Sequence, residues 1–251
     1  MMKSRLALCI LFGWWVGLFA QKPQSEPQGV LLSKFTYGAQ LPVGSLQKRF
    51  GSNFIAGGGI DWQWGKQNWV VGIDAQYLFG NQVKEDPLAG LRTKEGYIIG
   101  NDREVADINL RERGFYFGLS AGKVFSVSSK ASPRAGFRIN LGAGLLQHKI
   151  RIQDDPLRTV AQLTGEYKKG YDRLSNGLAF QQYFGYQAMS KDRRSNFMAG
   201  LEFFQGLTRS RRSFDFTTQS KFTQLHLSVL VGVRVGWILP FYADKAEEIY
   251  Y

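Results

Sequence analysis

Between Leu225 and Trp237 the chain alternates in polarity. Leu225, Leu227, Val229, Val231, Val233, Val235 and Trp237 fall on one face of an extended segment, and His226, Ser228, Gly232, Arg234 and Gly236 on the other. Strand side chains point alternately to opposite sides, so this segment is expected to be a strand with one apolar and one polar surface. The pattern recurs. Phe137, Ile139, Leu141, Ala143 and Leu145 alternate with Arg138, Asn140, Gly142 and Gly144, and Trp69, Val71, Ile73, Ala75, Tyr77 and Phe79 with Gly72, Asp74, Gln76 and Gly80. Marking every such segment gives eight strands, at 30–40, 53–65, 68–80, 113–127, 134–148, 176–188, 196–208 and 222–238.

The connections decide how the strands are arranged. Segments 41–52, 81–112, 149–175 and 209–221 are long, and they alternate with the short 66–67, 128–133 and 189–195. In an up-and-down sheet this sorts all long loops to one end. A soluble sandwich has no reason to do so, whereas bacterial outer-membrane barrels pair short periplasmic turns with long external loops and have an even strand number. The expected fold is therefore all-β: an eight-stranded antiparallel up-and-down transmembrane β-barrel in the bacterial outer membrane, with both termini periplasmic. Tryptophan placement is an independent indication. Trp62 and Trp64 end the second strand, Trp69 begins the third and Trp237 ends the eighth, all at the short-turn rim. Indole prefers the level where apolar and wet surroundings meet, as in the aromatic girdles of membrane barrels.

Composition agrees where it bears on the fold. A mean hydropathy of −0.23, and the lack of any apolar run of about 18 residues after the N-terminus, exclude a polytopic helical membrane protein. At the N-terminus, Lys3 and Arg5 precede an apolar stretch that ends Leu18-Phe19-Ala20, which reads as a signal peptide over 1–20. The single cysteine, Cys9, lies within it, so no disulfide framework or cysteine zinc site is expected. The division that follows is 1–20 signal peptide, 21–29 periplasmic N-terminal tail, 30–238 outer-membrane barrel and 239–251 periplasmic C-terminal tail.

Few residues suggest chemistry. Lys34, Asp61, Asp74, Arg138, Glu202 and Arg234 fall on inward faces, three basic and three acidic. Eight strands enclose an interior that side chains fill, so these six are expected to form a charge network that plugs the lumen. His226 and Ser228 share one polar face, and a serine beside a histidine is the minimal acyl-transfer pair. Their spacing is similar to that in small outer-membrane lipid A deacylases. Here, however, the pair should face the lumen and no carboxylate follows at a fitting position. In the loops, Arg209, Arg211, Arg212, Lys168 and Lys169 form a candidate basic patch, and guanidinium groups match phosphate oxygens bidentately. No Walker loop, dinucleotide fingerprint, zinc motif or calcium loop is present, so no cofactor and no metal are expected.

Several stretches resemble an uncharacterised family of small outer-membrane barrels from Bacteroidota. They are Lys48-Arg49-Phe50-Gly51-Ser52-Asn53, Leu146-Gln147-His148-Lys149-Ile150, Tyr167 to Leu174, Arg211-Arg212-Ser213-Phe214 and Gly236-Trp237-Ile238-Leu239-Pro240. The resemblance spans nearly the whole chain after the signal. It implies the outer membrane and association with secretion or gliding machinery, and it brings no catalytic or binding residues with it. The expected function is that of a structural or accessory subunit with a closed charged lumen. A lipid A-modifying acyl hydrolase and a narrow porin-like channel are the alternatives. Expected partners are outer-membrane lipid, lipopolysaccharide and other outer-membrane or periplasmic proteins, but not nucleic acid.

Overall fold

The computed structural model describes residues 29–127, 132–190, 195–220 and 225–242. The expected signal peptide over 1–20, nearly all of the expected N-terminal tail and residues 243–251 lie outside the described residues. Eight long strands form the barrel: β1 (Gly29–Val43), β2 (Asn53–Trp64), β3 (Trp69–Gly80), β6 (Asn109–Ser126), β7 (Gly136–Gln153), β8 (Ser175–Met189), β9 (Asn196–Ser210) and β10 (Leu225–Tyr242). A short helix α1 (Ser45–Arg49) and a two-residue hairpin, β4 (Ile98–Ile99) with β5 (Val105–Ala106), lie in the connections. Every sequential barrel pair is antiparallel, and β1 closes the ring on β10, with Val30 opposite Tyr242 and Val43 opposite Val229. Closure leaves no unpaired strand edge, which an apolar surround requires.

All eight expected strands are present, but most extend further towards the long loops. β1 continues to Val43, β6 begins at Asn109, and β7 and β9 run on to Gln153 and Ser210. Backbone pairing is indifferent to whether the outward side chain is apolar, so the ladder continues past the apolar band that defined the strands in sequence. Glu112 is thereby moved from an expected loop to the inward face of β6, where it is buried. At the other end β10 reaches Tyr242, so Leu239, Pro240, Phe241 and Tyr242 belong to the barrel rather than to a tail beginning at 239. Gly29, assigned by sequence to the N-terminal tail, opens β1.

The lumen is filled in layers. At the end with short turns, Val30, Leu32, Tyr183, Met189, Met198 and Ile238 pack together. Nearer the long loops, Ile55, Leu78, Tyr116, Leu146, Phe204 and Leu230 form a second apolar layer, with Tyr116 edge-on to Phe204 at 4.8 Å between centroids. Leu46 of α1 and Phe50 drop into this layer from above, and the Ser45 hydroxyl donates to the Leu227 carbonyl at 2.7 Å. Inward glycines leave room for these side chains; a Cβ on Gly72 would stand 2.0 Å from Asp61 Oδ1. Outside, Phe35, Leu119, Leu141, Leu178, Leu201 and Val233 are all exposed, the continuous apolar girdle of a lipid-facing wall.

Candidate functional site

The six inward charges lie in one layer between the two apolar ones. Lys34 Nζ stands 2.9 Å from both Asp61 Oδ1 and Asp74 Oδ1, and Arg138 Nη2 is 2.5 Å from Asp61 Oδ2. Arg234 Nη1 reaches Glu202 at 2.8 Å and Asp74 at 3.5 Å, with its guanidinium 4.6 Å from the centre of the Tyr183 ring. All six residues are at most 2% exposed. Neutral partners complete the layer: Ser120 donates to Asp74, Gln76 and Gln181 donate to Glu202, and Asn140 and Gln187 accept from Arg138. Charges this deep persist only when they are paired and hydrogen-bonded. Such a layer ties the wall together from within, with apolar layers above and below it.

Above the second apolar layer the lumen opens into a polar mouth, a cavity of about 320 Å³ lined by His148, Ser228, Thr208, His226 and Arg49, among others. The sequence pairs Ser228 with His226, whereas the structure sets a different histidine against it. His148 Nε2 lies 3.2 Å from Ser228 Oγ, and the Thr208 hydroxyl lies 2.8 Å from it on the other side. His226 and Ser228 share a strand face but are two residues apart along it, and His148 arrives from β7 across the lumen. Nδ1 of His148 is buried and has no hydrogen-bond partner, so no carboxylate orients the ring as acyl-transfer catalysis requires. Glu112, the buried acid near this level, engages Asn53 instead. The arrangement is a hydrogen-bonded interior trio.

The long loops fold onto one another. Leu88, Ile98, Ala106, Ile152, Val160 and Leu163 form an apolar core of their own. Ion pairs cross between connections: Arg173 to Glu85 and Asp215, Arg49 to Glu85 at 3.0 Å, and Arg158 to Glu104. Burial pulls the Arg49 guanidinium below its ordinary pKa, with Glu85 opposing the shift. The Thr217 hydroxyl donates to the Pro87 carbonyl at 2.8 Å, and Tyr171 packs on Phe216. The result is an ordered cap that displays Tyr97, Leu157 and Tyr167 on its exposed surface.

The five loop cations expected to form one basic patch are divided. Lys168, Lys169 and Arg212 line a common groove, and each has an acidic partner, Asp154, Glu166 and Asp172 respectively. Hydrogen bonding to Asp172 holds the Arg212 guanidinium above its usual pKa. Arg211 donates to Asn176, and Arg209 sits on the outer wall of β9; neither lines the groove. The sequence reading missed Arg113, Lys149 and Arg151, which line it from the wall. Their signal was period-two continuity of β6 and β7 beyond the last apolar outward residue. The four tryptophans Trp62, Trp64, Trp69 and Trp237 all stand exposed at the short-turn end, with Trp64 directly opposite Trp69. Lys123 lies over the Trp69 ring there.

A closed ring of eight antiparallel strands with an apolar outer girdle is the architecture of the small outer-membrane β-barrels. Solved structures similar to it include Neisserial surface protein A, with a TM-score of 0.41 and 13% identity over 84% of this chain and 97% of that one. Ail, the attachment invasion locus protein of Yersinia pestis, solved in complex with the heparin analogue sucrose octasulfate, gives 0.36 and 9% over 84% and 98%. The outer membrane protein OprG from Pseudomonas aeruginosa gives 0.34 and 12% over 86% and 95%. No protein-family model and no curated protein sequence matches the chain.

Proposed function

We propose that this protein is a non-conducting barrel of the bacterial outer membrane, with both termini in the periplasm, and that it serves as a structural or accessory subunit through its loop cap. The observation that carries the reading is the contrast between a lumen filled below its polar mouth and a cap with its own apolar core and cross-loop ion pairs. A barrel whose interior is filled has only its two ends and its wall with which to act. Ordering long loops costs conformational entropy, and a preorganised surface at that end recovers it on binding. The sequence resemblance to Bacteroidota barrels supplies the candidate assemblies, those of secretion and gliding.

The test is extraction of the tagged protein from its native membrane in mild detergent, beside a variant whose segment 93–106 is replaced by a short Gly-Ser linker. A stoichiometric complex is expected with the intact chain and is lost with the variant, while both barrels stay folded by gel mobility. A barrel that runs alone in both cases, or a complex unaffected by the loop replacement, overturns the reading.

A further inference from the structure

The outer wall of β6 and β7 changes character abruptly at the loop end. Going up the outward face, the paired rungs are Leu119 with Ala143, Phe117 with Leu145, and Phe115 with Gln147, next to Tyr77 on β3. The next two outward rungs are Arg113 opposite Lys149 and Arg111 opposite Arg151. Like charges placed directly across a ladder destabilise it, and here two such rungs follow one another. Arg111, Lys149 and Arg151 form no salt bridge among the described residues, and the Arg113 guanidinium reaches only the carbonyls of Glu112 at 2.7 Å and Gly80 at 3.5 Å. Acids in the cap are engaged elsewhere: Asp154 and Glu166 hold Lys168 and Lys169, and Asp172 holds Arg212.

These wall cations face the underside of the loop that follows β7. Arg113, Lys149 and Arg151 on the wall, with Lys168, Lys169 and Arg212 overhead, enclose a groove of about 500 Å³ whose one acidic lining residue is Asp172. Its floor continues downward into Tyr77 and Phe115, and so into the apolar band. A ligand seated here would place negative charge among the cations and hydrocarbon against the wall immediately below. We propose that this groove binds the phosphorylated headgroup of a membrane lipid of the lipid A type, with its acyl chains lying along the Phe117, Leu119, Leu141 and Leu145 surface. The site lies between the wall and the underside of the cap, and it stands or falls independently of any protein partner.

The experiment uses the full barrel in detergent and bis-phosphorylated lipid A as the probe, with adducts counted by native mass spectrometry. Wild type is expected to retain lipid A. The triple variant Arg113→Gln, Lys149→Gln, Arg151→Gln is expected to lose roughly a hundredfold in affinity, from about fivefold per surface cation. Lys123→Gln removes an outward cation from the same strand at the opposite rim and is expected to bind as wild type does. Heat-modifiable gel mobility checks that each variant is folded. Equal binding by wild type and triple variant overturns the proposal, as does an equal loss in Lys123→Gln, which would mean attraction to bulk charge. Displacement of lipid A by inorganic phosphate at matched concentration also overturns it, since a free anion would then suffice.

Discussion

Replacing Asp61 by Asn should show how much the barrel depends on its internal charge layer. Asp61 is fully buried, forms an ion pair with Lys34 at 2.9 Å and accepts a hydrogen bond from Arg138 at 2.5 Å. The layer is otherwise balanced, so the substitution leaves one net positive charge among deeply buried side chains. Lys34 keeps Asp74, but Arg138 is left with the neutral Asn140 and Gln187. Breaking one partner of a buried pair costs about 3–5 kcal/mol, because the remaining charge is uncompensated. With a urea slope of about 2 kcal/mol per molar, the unfolding midpoint should fall by about 2 M. Tryptophan emission during urea unfolding in lipid vesicles reads this directly, since Trp62, Trp64, Trp69 and Trp237 all stand on the outer surface. The double variant Asp61→Asn, Arg138→Gln restores neutrality and should recover at least about 1 kcal/mol relative to the sum of the two singles. A single variant within about 1 kcal/mol of wild type, or two singles that simply add, would refute the idea that pairing in this layer holds the wall together.

Other expectations follow from the same geometry. Planar-bilayer recordings of the wild type should show no steady ohmic conductance, and reproducible conductance altered by Arg234→Met would replace the plug with a pore. Gly72→Ala should destabilise the barrel by about 1–3 kcal/mol in the same urea assay, because its Cβ meets both Asp61 Oδ1 at 2.0 Å and the Ile60 carbonyl at 2.5 Å. Ser228→Ala should leave the acyl pattern of cellular lipid A unchanged by mass spectrometry while costing about 1 kcal/mol of stability through its lost bonds to His148 and Thr208. On intact cells, added protease should cut near the exposed Tyr97, and a tag placed after Tyr251 should stay protected.

Strand number and loop sorting were legible because lipid on one side of a wall imposes a period of two that no other environment sustains for so long. The same signal misled at the loop ends. Arg111, Lys149 and Arg151 continue the strands of which they are part, yet they resemble loop residues once the outward face stops being apolar. Alternation also placed Lys34, Asp61, Asp74, Arg138, Glu202 and Arg234 on inward faces, but which carboxylate meets which cation depends on barrel stagger, which sequence does not display. For that reason His148, from a strand far along the chain, and not the nearby His226, lies against Ser228. The cap was least legible, since its ion pairs join connections that are unrelated in sequence, as Arg173 with Glu85 and Asp215 illustrate.

The seam between β1 and β10 joins Val30 to Tyr242, almost the first described residue to the last. No portion of the chain made before β10 can therefore form a sealed ring. Until β10 is added, the free edges of β1 and β9 each present a row of unpaired amides and carbonyls, which lipid cannot satisfy. Closure into a sealed ring must consequently wait for β10. Loss of the final strand would thus yield no smaller barrel but a chain with no stable place in the membrane.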